Sequence, residues 1–391
     1  MNRLQVNAFG PVQQADVKFG DLTVLVGPQA TGKSLFVQLY KLIQDAPAVA
    51  DHLERRGFDW TNAPDPVAAF CALYFGGGFD CIFGPNTTIY RDDRRIDPFT
   101  IAKPQARPSV ETAFLIPAQR SLVVQDGWPK SFMAYEPGNP YSIRHFSECI
   151  RVFMEQMPDG AIHELMAVPE LRTAVATSIY GGSTLEVERV GTRRRIVLKL
   201  RDSSSMLPYG AWSTGQREFT PLLIGLAAFA SKMAGERETT VILEKPEMGL
   251  HPEAVLSVGL LVLELLAREH RVILSTHSPV LLDLVWAIRE LSAVNVDTGI
   301  AALSKIFNLD KPSTRVSNIF AVALKKDYRT FFFKRTDAGV VTEDISTLDP
   351  GDENESIAGW GGLSGVSGRV GRVVGEVVRG SGYCHGLSIG A

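Results

Sequence analysis

Hydrophobic positions along the chain fall into two alternating registers. Short continuous apolar runs, Leu22 to Val26, Val241 to Leu243 and Val272 to Leu274, have the length of buried strands. Between and after them lie stretches of helical spacing: Leu35 to Ile43, Phe219 to Met233, and Pro252 to His270 with Val255, Val258, Leu261, Val262 and Leu265 on one face. The last of these joins two strand runs, so strand, helix and strand follow one another and a parallel pair is predicted. Period-two alternation appears at 184–201, where a turn at Gly191-Thr192 puts Leu185, Val187, Ile196 and Leu198 on one face. A second hairpin is predicted from Thr330–Lys334 and Val340–Ile345 around Asp337-Ala338-Gly339, read as an add-on to the core. Past Gly351 the chain turns rich in Gly, Ser and Val. Val366, Val370, Val373 and Val377 recur at helical spacing there, before a tail expected to fray from Gly380.

The resulting fold class is α/β: a mixed or parallel sheet flanked by helices. Its core is expected in 1–45 and 211–312, with an inserted helical and hairpin region at 46–210, the hairpin at 313–350 and the Gly-rich end at 351–391. The chain has 391 residues, 45% apolar and 21% charged, which excludes wholesale disorder. A net charge of -3 argues against a generally basic nucleic-acid coat. Four scattered cysteines with no CxxC pair suit a reducing compartment. The most apolar segment, Leu256 to Ala267, is cut by Glu264 and is shorter than the roughly 18 residues a membrane span requires. The expectation is a cytoplasmic protein with no membrane partner.

Candidate chemistry begins at the first strand run. Gly27-Pro28-Gln29-Ala30-Thr31-Gly32-Lys33-Ser34, followed by Leu35, is a G-x-x-x-x-G-K-[ST] loop in its strand-to-helix setting. Its backbone N–H groups and the helix N-terminus suit phosphates, Lys33 suits the β- and γ-phosphates, and the Ser34 hydroxyl suits Mg²⁺. Nucleotide, with ATP and Mg²⁺ as ligands, is the expected occupant. Glu244 ends the second strand run, at the edge where Mg²⁺ needs an oxygen ligand. His277 ends the third, in Ser275-Thr276-His277-Ser278-Pro279. The turn Ser213-Thr214-Gly215-Gln216 opens a helix with a capping serine, a second helix N-terminus suited to phosphate.

In this order, the P-loop, the Ser-Thr-Gly-Gln turn, Glu244-Lys-Pro-Glu-Met-Gly-Leu-His-Pro252 and the Ser-Thr-His-Ser-Pro strand end resemble the ABC-type ATPases. The branch they look like is the AAA-family or OLD-like one, related to RecF, SMC and Rad50 proteins. Asn7-Ala-Phe-Gly-Pro11 and Ile116-Pro-Ala-Gln-Arg120-Ser121 look like that branch too. The resemblance implies a head-to-tail homodimer, or a higher homo-oligomer, in which the 213–216 turn of one subunit completes the P-loop site of the other. It assigns Ser213, Thr214, Gly215 and Gln216 to the γ-phosphate in trans, His277 to sensing that phosphate, and Gln119 to a metal- and water-sensing role. The branch usually follows its metal-binding acid with a second carboxylate that polarises water. Lys245 stands there instead, so Glu247 is the expected substitute base and hydrolysis is expected to be slow.

The implied function is an ATP switch for a DNA-related or defence process, acting on a separate effector protein. Alternatives are a non-hydrolysing ATP-binding scaffold and the ATPase subunit of a membrane transporter. The Phe-Gly-Pro strand, the Glu244-Lys-Pro-Glu motif and the large insertion all speak against the transporter. No long heptad region appears, and no acidic cluster of the metal-nuclease kind follows residue 300. DNA is a candidate partner at the 184–201 hairpin, where Arg193, Arg195, Lys199 and Arg201 make a basic ribbon. Glu188 opposite Arg195 offers a cross-strand ion pair as the other explanation.

Overall fold

A computed structural model of the chain describes residues 1–97, 100, 110–157, 168–191, 193–201, 203–232 and 239–380. The strands are β1 (Arg3–Phe9), β2 (Val12–Lys18), β3 (Leu22–Val26), β4 (Phe83–Arg91), β5 (Arg94–Ile96), β6 (Ala113–Ile116), β7 (Val124–Gln125) and β8 (Trp128–Pro129). They continue as β9 (Thr184–Val190), β10 (Arg193–Lys199), β11 (Met206–Pro208), β12 (Thr240–Glu244), β13 (Arg271–Ser275), β14 (Tyr328–Thr336) and β15 (Gly339–Asp344). One large sheet runs β5-β4-β1-β2-β15-β14-β3-β13-β12-β6. From β14 to β6 each neighbouring pair is parallel, as is β2–β15, whereas β1–β2, β1–β4, β4–β5 and β14–β15 are antiparallel. The expected β12–helix–β13 unit is present, with Val241 opposite Val272 and Glu244 opposite Ser275.

The continuous apolar runs follow from burial on both faces. Val24, Val241 and Val272 face a core shared with helices Thr214–Lys232 and Pro252–Ala267. Leu25, Ile242 and Ile273 face the opposite core, under helix Lys33–Glu54. Strands covered on both sides have no reason to alternate. Helix Lys33–Glu54 bends at Asp45, ahead of Pro47. The Asp45 carboxylate accepts from Lys41 and from the backbone N–H groups of Thr112 and Ala113, which ties the bend to the start of β6.

The structure differs from the expected segmentation in two places. The region 46–210 does not stand outside the sheet: it supplies β4 and β5 beside β1, and β6 at the opposite edge. The C-terminal hairpin is also no add-on, because β14 pairs with the P-loop strand β3 and β15 with β2. Long-range parallel pairing carries no local sequence signature, so a hairpin and a sheet interior read alike. Deleting residues 327–391 should therefore abolish cooperative thermal unfolding, followed by circular dichroism. A truncated chain that melts like the full one would contradict this pairing.

The β9–β10 hairpin has the expected register, with Arg195 opposite Glu188 and Ile196 opposite Val187. Thr192 lies outside the described residues. Arg195 bonds Glu188 at 2.7 Å, Lys199 is 3.6 Å from Glu186, and Arg194 donates to the carbonyls of Met154 and Met157. These partners favour the ion-pair explanation over a DNA-tracking ribbon. Helix Gly365–Gly380 forms, with Val370, Val373, Val374 and Val377 exposed. The tail from 381, with Cys384, lies outside the described residues.

Candidate functional site

The P-loop joins the end of β3 to helix Lys33–Glu54, whose N-cap is Gly32. Gly27 adopts φ 142, and a Cβ there would stand 2.6 Å from the Phe333 carbonyl oxygen of β14. Only glycine fits that left-handed, crowded place. Pro28, Gln29 and Ala30 are exposed at the loop crest, Leu35 is half-buried, and the Thr31 hydroxyl donates to the Pro28 carbonyl. Lys33 is folded inward: its ammonium donates to the Gly27 and Pro28 carbonyls, both at 2.7 Å, and to the Thr31 hydroxyl at 3.2 Å. Burial, with Lys245 close by, lowers its pKa to about 8.

Parallel pairing puts the ends of β3, β13 and β12 side by side, and this brings the separated motifs together. Glu244 is buried at the β12 tip, within the influence of the Ser34 hydroxyl. Burial raises its carboxyl to about 7, against the lowering effects of Ser34, Lys245, Arg120 and the Ala118 N–H. Lys245 follows at φ 44, with its N–H on the Ser275 carbonyl of β13. Glu247 Oε1 accepts from the His277 backbone N–H at 2.8 Å. His277 is half-buried, and its imidazole is pushed down to about 4 by burial and then by Lys33 and Lys245, so it is neutral near pH 7. Glu244 Oε1, Glu247 Oε2 and His277 Nε2 are buried atoms without a hydrogen-bond partner. Such atoms are costly unless a ligand or water meets them, and three converge here.

The 213–216 turn lies elsewhere. Ser213 and Gln216 form a reciprocal capping box, with Gln216 N–H on Ser213 Oγ at 3.3 Å and Ser213 N–H on Gln216 Oε1 at 3.0 Å. Gln216 also donates to the Ile179 carbonyl. A Cβ on Gly215 would sit 2.5 Å from the Gly249 carbonyl oxygen, so the turn packs on the loop after Glu247. Ser213 and Thr214 are exposed. Among the hydrogen bonds of the described residues, none joins 213–216 to 27–35. Gln119 is exposed, next to the buried Ala118.

Two further residues were not assigned a role from sequence. Arg120 is fully buried and donates to the carbonyls of Glu244 and Lys245. Its stretch carries part of the family resemblance, but a lone arginine after a strand gives no hint of its partners. Arg335, at the end of β14, donates to the Gln29 carbonyl at 3.1 Å across 306 positions of chain. No local signal predicts that contact.

A strand-to-helix phosphate loop, flanked by acidic and histidine-bearing strand tips on a parallel sheet, defines a P-loop ATPase of the ABC type. The chain belongs to the family described as "AAA domain, putative AbiEii toxin, Type IV TA system", matched over residues 22–283. An OLD nuclease of Thermus scotoductus (strain ATCC 700910 / SA-01) is 22% identical over 329 residues, covering 72% of this chain; the chain spans 60% of that relative's length. Two solved structures are similar at low identity. An SMC head bound to the C-winged-helix domain of ScpA shares 12% identity with a TM-score of 0.41, over 88% of this chain and 96% of that one. A dimeric bacterial ABC transporter cassette shares 9% with a TM-score of 0.31, over 70% and 88%. Among the described residues no helix is long and apolar enough to cross a membrane, and no group of three or more His, Cys, Asp or Glu is placed to hold a metal ion.

Proposed function

We propose that this ATPase is a nucleotide-driven switch: two copies close head to tail on ATP, and closure controls a separate effector in a DNA-related or defence process. The observation that carries this reading is the half-finished site. Phosphate-binding and acidic groups gather at the P-loop, while Ser213 and Thr214 are exposed and no hydrogen bond among the described residues joins 213–216 to that loop. A second copy's turn supplies the missing donors. The DNA-related part leans on the similarity to an OLD nuclease and is accordingly the outer layer of the proposal.

Within each site the backbone of 27–34 cradles the phosphates, and Lys33 leaves its loop carbonyls for them. Ser34 and Glu244, close to each other, offer oxygens that suit Mg²⁺, and the unpartnered Glu244 Oε1 fits that role. When bound, Mg²⁺ supplies charge neutralisation at the phosphates. Neutral His277 offers Nε2 to the terminal phosphate, and the metal- and water-sensing role falls to Gln119 by the resemblance alone. Glu247 holds a proton-accepting oxygen, Oε2, without a competing partner. A second reading, an ATP-holding scaffold without turnover, is favoured by Lys245 at the strand tip, since a charged lysine accepts no proton from water. Turnover by the purified chain separates the two.

The switch is tested by sedimentation of Glu247→Gln with ATP and Mg²⁺. Mass doubling, or higher assembly, is expected with ATP and is absent without it. A species that stays monomeric with saturating ATP removes the proposal.

A further inference from the structure

We infer that Arg120 is a positioning residue that couples the 213–216 turn to the carboxylates of its own subunit's P-loop site. This rests on the reading of 213–216 as the turn that acts in trans. Arg120 opens the short helical turn Arg120–Val123 just after β6 and has no solvent exposure. Its guanidinium reaches three chain segments at once. Nε donates to the Glu218 carbonyl at 2.9 Å, Nη1 to Pro117 at 3.1 Å and Glu244 at 2.8 Å, and Nη2 to Lys245 at 3.0 Å. The Glu218 carboxylate stands 3.9 Å from Nε as its counter-charge.

Three of those four carbonyls belong to working parts. Glu218 lies in the opening turns of the helix that begins with the Ser213 cap. Glu244 and Lys245 carry the acidic strand tip, and Lys245 holds a left-handed backbone that its surroundings must enforce. Its N–H is anchored on Ser275 and its carbonyl on Arg120, so both sides of that residue are pinned. A buried charge persists only where its donors are met, and the planar fork spans oxygens that a lysine's single point charge does not. Movement of the turn on a partner's phosphate is thereby transmitted to Glu244 and Glu247 in the turn's own subunit. Arg120 thus links the two sites of a dimer.

The test combines Arg120→Ala with Ser213→Ala. Arg120→Ala is expected to keep ATP affinity within about twofold while turnover falls by about tenfold or more. Millimolar guanidinium, but not ammonium, should restore part of that turnover by filling the vacated cavity. The double variant should turn over like Arg120→Ala alone, since the turn can no longer reach the strand tip. Losses that multiply, or an ATP affinity that falls in parallel with turnover without guanidinium rescue, overturn the inference. If Arg120→Ala does not fold, Arg120→Gln carries the same measurements. If Ser213→Ala proves neutral, the trans-turn reading falls and the coupling with it. Arg120's hold on the strand tip is read separately from Mn²⁺ affinity of the ATP complex, expected to weaken by about tenfold in the Arg120 variant. Unchanged Mn²⁺ affinity overturns that part as well.

Discussion

Lys33→Ala should lose ATP binding almost completely, with affinity reduced by about a hundredfold or more. A hydrogen bond to a charged group contributes about 1.5–3 kcal/mol, and the ammonium is placed to make at least two such bonds to phosphate oxygens. That ammonium donates to the Gly27 and Pro28 carbonyls, so it is held at the loop. Removing it leaves the Pro28 carbonyl at the exposed crest, where water replaces the lost donor, and opens space beside the buried Gly27 carbonyl that a water can fill. The variant should therefore fold normally, with its thermal midpoint near that of the wild type. The measurement is titration calorimetry with ATP and Mg²⁺. Wild-type affinity in a folded Lys33→Ala chain would mean that residues 27–34 are not the phosphate loop.

The second large effect concerns the carboxylates beyond β12. Glu247→Gln is expected to cut turnover by about a hundredfold, the range of a positioned general base, with ATP affinity unchanged. The amide keeps an oxygen for the His277 N–H, now accepted by Oε1 at 2.8 Å, so the local fold should survive. What it loses is the acceptor at Oε2, the buried atom with no partner. Lys245→Glu should raise turnover rather than abolish it, because it restores an acid at the strand tip on a backbone that is already left-handed for a non-glycine residue. A second carboxylate beside Glu244 also disfavours ionisation there, so the comparison needs saturating Mg²⁺. Normal turnover in Glu247→Gln would move the base to His277 or to the facing subunit. A loss in Lys245→Glu would make Lys245 a stabiliser of phosphate charge. Neither of those outcomes touches the assignment of Ser34 and Glu244, which is read from Mg²⁺-dependent binding in Glu244→Gln.

Much of this site could be read along the chain because its parts are local. A phosphate loop needs its glycines, lysine and serine at fixed short spacing. A capping box needs Ser213 and Gln216 three apart, and a strand tip needs only the residue that ends an apolar run. The β9–β10 register was equally legible, since a two-residue turn leaves one pairing that buries Leu185, Val187, Ile196 and Leu198 together. The convergence of Glu244, Glu247 and His277 could be anticipated from parallel order, though not the hydrogen bond that ties Glu247 to the His277 backbone.

What the chain alone determined is therefore the set of candidate side chains and the elements that carry them. Hydrophobic period and short-range spacing are written in consecutive residues. Tertiary structure decided everything that depends on pairing across long stretches of sequence. It put β14, read as part of an appendage, directly against the P-loop strand, and drew β4, β5 and β6 out of the insertion into the same sheet. It buried Arg120 among four carbonyls and set Arg335 on the Gln29 carbonyl. Backbone hydrogen bonds are the same for every residue type, so a strand's partner is chosen by which faces must be buried together and by how the whole chain closes on itself. That choice is made only when all the elements are present at once.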